Sequence, residues 1–269
     1  MSLRPKHKKK EHKKIWKIKK RNCYSNNIKK FYLDLNKQIH KHNLKIKILG
    51  YVRNDPIILL LPKKLSKKNK NLLITGGFHG DEPGGSWGII EFLEKTDKDF
   101  FKEVDLSIIP LVNPTGFKTG SLKNMHGENP NSGFKKGAGS KEDNILRKNF
   151  KLLKKLAKDG FLTLHEDYDQ KHFYIYSFEK NSTPSKRSFE LLHSLKKIYP
   201  IFGSGVIDEC IAKNGIIFND HDTSLEATLS LSGVPFCICT ETPRGSGIDK
   251  RIKANSIIIQ KFIESTIKN

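Results

Sequence analysis

The chain has 269 residues, 36% of them hydrophobic, enough for one large buried core without a second domain. Its 50 Lys and Arg against 28 Asp and Glu give a formal charge of +22, which favours anionic surroundings but says little about fold. No apolar segment follows the basic N-terminus and no run of about eighteen apolar residues occurs, which excludes a recognisable signal peptide or membrane span and makes cytoplasmic residence the expectation.

Residues 1–20 hold nine lysines and Arg4 against Glu11 alone, a composition that cannot bury a core. Residues 1–25 therefore read as a basic, flexible tail with weak binding to anionic polymers, and residues 26–269 as one domain. A second basic run, Lys63, Lys64, Lys67, Lys68 and Lys70, reads as a surface turn. Few aromatics interleave with these lysines, so the stacking platform of a single-strand nucleic-acid binder is missing. Cys23, Cys210, Cys237 and Cys239 are too few and too irregularly placed for a disulfide framework and read as reduced thiols, the last pair packed within a strand.

In chain order, residues 26–42 suggest a helix whose inner face draws on Phe31, Leu33, Leu35 and Ile39. Residues 44–51 and 57–61 read as two strands around the turn Asn54-Asp55-Pro56. Residues 71–75 form a short apolar run ending in Gly76-Gly77, the pattern of a buried strand and tight loop, with a helix starting near Gly85. A strand over 104–112 closes on Asn113-Pro114-Thr115-Gly116, and residues 119–140 read as a long loop of the kind that is usually functional or disordered. A helix over 143–158, strands over 161–164 and 173–178, helices over 186–197 and 224–231, a strand over 234–240 and a helix over 251–267 complete the chain. Strands alternating with helices predict an α/β sandwich around a parallel or mixed sheet.

Three polar clusters follow separate predicted strands: His79-Gly80-Asp81-Glu82, His165-Glu166-Asp167, and Glu241. Sites in open α/β sheets form beyond the carboxyl ends of strands, so these clusters are candidates for one site. A catalytic zinc takes three protein ligands and keeps a position for water, and two histidines with a carboxylate are a common set. His79, Glu82 and His165 can supply it, and Glu241 is the remaining carboxylate to accept the water's proton and pass it on. Two imidazoles and a carboxylate also suit zinc better than harder cations.

Together, Gly77-Phe78-His79-Gly80-Asp81-Glu82, Asn113-Pro114-Thr115-Gly116-Phe117, Leu164-His165-Glu166-Asp167 and Thr240-Glu241-Thr242-Pro243 resemble the zinc carboxypeptidase family called M14. The related succinylglutamate desuccinylase and aspartoacylase branch is similar too. The resemblance runs from about Asn71 to Gly245. It implies one zinc ion on His79, Glu82 and His165, with Glu241 as general base and acid, in a three-layer α/β/α sandwich on a mixed sheet of about eight strands.

Carboxypeptidases of this family hold the substrate's terminal carboxylate with an Asn-Arg pair. The matching stretch here gives Asn131 but Ser132 in the arginine's place, and a hydroxyl cannot replace a charged bidentate fork. Lys123, Lys135, Lys136 or Arg147 are the neighbouring cations able to compensate, and Arg244 beside the base is a further candidate for an anionic substrate group. Asp167 is the candidate acceptor orienting His165, since ligating imidazoles usually donate their other N–H. The expected function is amide hydrolysis by a metallocarboxypeptidase acting near a peptide C-terminus. An amidohydrolase of N-acyl amino acids and a non-catalytic basic binding protein on the same scaffold are the alternatives.

Overall fold

A computed structural model of the chain describes residues 26–134 and 139–267. The basic tail expected over 1–25, Cys23, and the candidate cations Lys135 and Lys136 lie outside the described residues.

The helix α1 (Ile28–His42) leads into the hairpin β1 (Lys45–Val52) and β2 (Asp55–Leu61), then β3 (Lys70–Gly76), α2 (Pro83–Lys95), β4 (Val104–Ile109) and α3 (Pro114–Thr119). After an irregular segment come α4 (Lys141–Lys148), α5 (Phe150–Leu156), β5 (Gly160–Asp167), β6 (Tyr174–Glu179) and α6 (Lys186–His193). Three short strands, β7 (Gly205–Ile207), β8 (Cys210–Lys213) and β9 (Ile216–Phe218), precede α7 (Leu225–Leu231), β10 (Phe236–Pro243) and α8 (Ile248–Ile267).

The ten strands among the described residues form one mixed sheet in the order β1-β2-β4-β3-β5-β10-β6-β9-β8-β7. Its centre, β4-β3-β5-β10, is parallel, and β6 runs antiparallel to β10. Central strands covered on both faces should be apolar throughout, and β4, β5 and β10 are buried along their whole length. Helices α1, α2, α6 and α8 pack on one face, around Leu72, Ile74, Leu162, Leu164 and Ile238; α4, α5 and α7 cover the other, around Leu73, Phe161, Cys237 and Cys239. The layered α/β/α expectation holds, and no helix among the described residues is long and apolar enough to cross a membrane.

The sheet has ten strands where about eight were expected, because β7, β8 and β9 add a small meander beyond β6. Each is only three or four residues long, too short to show a period. The helix expected over 143–158 breaks at Asn149, which leaves helical geometry and whose amide donates to Ile145 O and across to Leu49 O in β1. Leu33, expected inside, is 66% exposed, while Gln38 and His42 complete the buried face of α1. His42 joins that face by hydrogen bonding Leu93 O at 2.6 Å.

Candidate metal centre

Local geometry explains why the first polar cluster stands where it does. β3 stops at Gly76, and Gly77 turns the chain at φ +69°, where a Cβ would meet Ser86 Oγ at 2.5 Å and Leu111 Cδ1 at 2.6 Å. Five residues on, Glu82 stands at the N-terminal boundary of α2 and Pro83 occupies its first turn, a position that needs no N–H. His79 and Glu82 therefore sit in the turn between a central strand and its helix.

The second and third clusters arrive by sheet register. β5 pairs with β3 up to Leu164, so His165 is the first residue beyond the end of β3. On its other side, β10 places Glu241 level with His165, and β6 places Tyr174 level with Glu241. Side chains alternate along a strand, so His165 lies on the face of Phe161, and Glu241 on the face of Cys237 and Cys239, the face that α7 covers.

The three candidate ligands converge. One donor atom from each of His79, Glu82 and His165 lies within 4.8 Å of the others, and the residues are only 1%, 2% and 3% exposed. Both imidazoles turn Nδ1 toward the same carboxylate: His79 Nδ1 is 2.8 Å from Glu82 Oε1, and His165 Nδ1 is 3.0 Å from Oε2. The Glu166 N–H donates to that same Oε2 at 3.2 Å. Burial drives the His165 pKa down against the opposing pull of Glu82, which favours the neutral imidazole a metal requires. This donor set, two imidazoles and a carboxylate around one point, fits a single divalent ion such as zinc.

Glu241 is 8% exposed, with Cys239 Sγ 3.8 Å from its Oε1. The Tyr174 phenol beside it is pushed well above its ordinary pKa, first by burial and then by the Glu241 charge, so it stays a hydrogen-bond donor. It donates to Asp167 Oδ2 at 2.6 Å.

That contact corrects the role expected for Asp167. Its carboxylate accepts from Tyr174 and from the Asp169 N–H, whereas the His165 ring faces Glu82 and Asn131. Asp167 shares a sheet face with His165 but lies two residues further along β5, roughly 6.6 Å on, which aims it at the neighbouring strand.

The expected substrate-binding residues are engaged within the protein. Asn131 is 1% exposed; its Oδ1 accepts the Leu225 N–H at 2.9 Å, and its Nδ2 faces Glu226 Oε2 at 3.2 Å and His165 Nε2 at 3.5 Å. Its side chain is a buried tie. Arg147 donates to Asn144 on its own helix at 2.5 Å. Arg244 donates to Asp81 Oδ2 at 2.6 Å and lies over the Tyr168 ring, pinning the His79–Glu82 turn to the end of β10.

Two acids to which the motif reading gave no role are fully buried near this end of the sheet. Glu166 pairs with Arg251 of α8 at 2.5 Å, and burial still lifts its pKa to about 7 against the Arg251 charge. Glu226, in the first turn of α7, stands behind Asn131. Its only sequence signal was an acid soon after the cap Ser224, which is ordinary for a helix start.

No protein-family model and no curated protein matches the chain. Solved structures do. A protein from Shewanella amazonensis SB2B, provisionally named a metallopeptidase, is 38% identical with a TM-score of 0.88, over 90% of this chain and 94% of that one. One of the same description from Shewanella denitrificans OS217 is 40% identical with a TM-score of 0.87, over 91% and 92%. A metallo-carboxypeptidase from Burkholderia cenocepacia shares the fold at 15% identity and a TM-score of 0.69, covering 88% of this chain and 68% of that one. With close identity over nearly the whole of both chains, a carboxypeptidase-like fold and a buried His-Glu-His cluster, the chain belongs to the metallopeptidase family that these Shewanella proteins represent.

Proposed function

We propose that the chain is a zinc-dependent hydrolase of amide bonds, a metallocarboxypeptidase acting near a peptide C-terminus, with His79, Glu82 and His165 holding the ion. The observation that carries this reading is the buried three-donor cluster with a fourth, non-ligand carboxylate, Glu241, level with His165 across β5 and β10. A bound zinc ion would supply an acidified water and polarise the scissile carbonyl. Glu82 sets the spacing of the two imidazoles by facing both Nδ1 atoms. Glu241 takes the water's proton and returns it to the leaving amine, the two duties one carboxylate can perform in sequence. Cys239 Sγ lies 3.8 Å from its Oε1, and the buried Tyr174 stands level with it on β6.

Ser132 favours a second reading, hydrolysis of N-acyl amino acids. Its hydroxyl donates to Asn129 O at 2.6 Å, and no arginine fork stands at that position to hold a terminal carboxylate. The test is metal analysis of the purified chain coupled to hydrolysis of a mixed library of peptides and N-acyl amino acids. One equivalent of zinc and release of C-terminal residues support the first reading; cleavage confined to acyl amino acids selects the second. Full activity in metal-stripped protein overturns both.

A further inference from the structure

The sheet ladders hold part of the metal centre but not all of it. β10 pairs with β5 as far as Pro243 and Asp167, and the Arg244 N–H carries the ladder one step further by donating to Asp167 O at 2.8 Å. His165 and Glu241 therefore stand on one hydrogen-bonded frame. The ladder between β3 and β5 ends at Gly76 and Leu164, and backbone bonds from Val112 and Asn113 fix the next segment only as far as Gly77. His79 and Glu82 lie beyond these points, so their register with Glu241 has to come from side chains.

Arg244 supplies such a tie. It follows Glu241 by three residues, and its guanidinium reaches across to Asp81 Oδ2, between the two ligands of the turn, at 2.6 Å. Asp81 Oδ1 has no hydrogen-bond partner among the described residues, so Arg244 is the group that holds this carboxylate. The guanidinium also lies over the Tyr168 ring, 5.4 Å from its centre, a stacking that favours one orientation of the planar group. One side chain thus comes from each segment that carries the site: Asp81 after β3, Tyr168 after β5 and Arg244 after β10. Ion pairs open to solvent add little to global stability, and with Arg244 26% and Asp81 13% exposed the effect of this one falls on local geometry.

We propose that Arg244 is a positioning residue, which with Asp81 and Tyr168 holds the His79–Glu82 turn in register with Glu241. It acts through the turn and the base, and it does not bind the substrate. The inference rests on the proposed function and deepens it by naming what aligns the proton carrier with the three donors.

The test compares the full-length wild type with Arg244→Ala, Asp81→Asn and the double variant. Hydrogen exchange over residues 77–82 of the metal-free protein reads whether the turn loosens, and steady-state kinetics of the zinc-loaded protein on a peptide separate kcat from KM. The expected result is faster exchange over the turn in both single variants and a fall in kcat of about 10²-fold, the cost of a misplacement of about 1 Å, with KM nearly unchanged. The double variant should be no worse than either single one, since both remove the same tie. Millimolar guanidinium should restore part of kcat in Arg244→Ala. Unchanged exchange and kcat in folded variants overturn the proposal, as do losses that add in the double variant. A raised KM with kcat intact also overturns it and returns Arg244 to an anionic group of the substrate. If Asp81→Asn does not fold, Arg244→Ala decides the matter by exchange, by the kcat and KM split and by guanidinium rescue. A wild type that hydrolyses no amide removes the proposed function, whereas exchange in the metal-free chain still shows whether Arg244 holds the turn.

Discussion

Gly80 lies between two of the proposed ligands, and a Cβ placed there would stand 1.9 Å from the Gly116 carbonyl carbon and 2.2 Å from both Gly116 O and Phe117 N. These are backbone atoms that cannot rotate aside. They belong to α3, whose start is fixed by Asn113 Oδ1 accepting the Gly116 N–H at 2.8 Å. The Asn26 amide further ties the two segments by donating to Gly80 O at 2.8 Å and to Phe117 O at 2.7 Å. Widening the 1.9 Å gap to the ~3.5 Å of an ordinary carbon contact requires a retreat of roughly 1.6 Å. His79 and Glu82 would travel with the turn, and a misplacement of about 1 Å can cost about 10²-fold in rate. Overpacking of this kind costs about 1–3 kcal/mol, offset by about 0.4–1 kcal/mol from the stiffer unfolded chain. Gly80→Ala should therefore melt a few degrees lower, bind zinc more weakly and lose on the order of 10²-fold in kcat/KM. Gly203→Ala is the control, since nothing lies within 4 Å of its Cβ position. Thermal melts, chelator competition and steady-state kinetics on the two variants give the comparison. Zinc affinity in Gly80→Ala equal to that of Gly203→Ala would refute the packing argument.

Glu241→Gln leaves the three donors untouched, so zinc content should stay near one equivalent while kcat falls by about 10²- to 10⁴-fold; a fall in zinc content of the same size would place Glu241 among the ligands. Arg251→Ala strips the buried Glu166 of its cation partner and should destabilise the fold by about 3–5 kcal/mol in denaturant melts, whereas an exposed pair such as Lys186–Glu190 should cost under about 1 kcal/mol. Glu142 is 0% exposed and accepts from Asn124 at 2.6 Å, and burial raises its pKa. A raised folded-state pKa means that its contribution is complete below the ordinary carboxylate value and is lost as pH rises through the folded value. Glu142→Gln should thus gain stability relative to wild type as the pH of the melt is raised from 4 to 8, and a constant difference would contradict the sign.

The local sequence by itself determined the elements and the chemistry of their ends. Apolar runs bounded by Gly, Asn and Pro located the central strands β3, β4, β5 and β10. The residue types after those strands named the two histidines and the glutamate that the fold gathers, and the further glutamate level with His165. Chain-local patterns carry this because strand burial and turn geometry depend on neighbours in sequence. The pairing order of the strands did not follow from any such pattern, nor did the three-strand meander, because strand partners are chosen by packing across the whole sheet.

The same division runs through the site. His79 and Glu82 share one turn and could be read together, but Glu226, 61 positions beyond His165, has no motif to connect it to that ring. Asn131, Arg147 and Arg244 were expected as substrate contacts because charge and amide chemistry are visible in a sequence, whereas the partners each group takes within the fold are not. Only the folded chain assigns Asn131 to Leu225 and Glu226, Arg147 to Asn144, and Arg244 to Asp81. A hydrogen-bonding group's role is settled by which partners reach it first in three dimensions, and that competition is decided by tertiary packing.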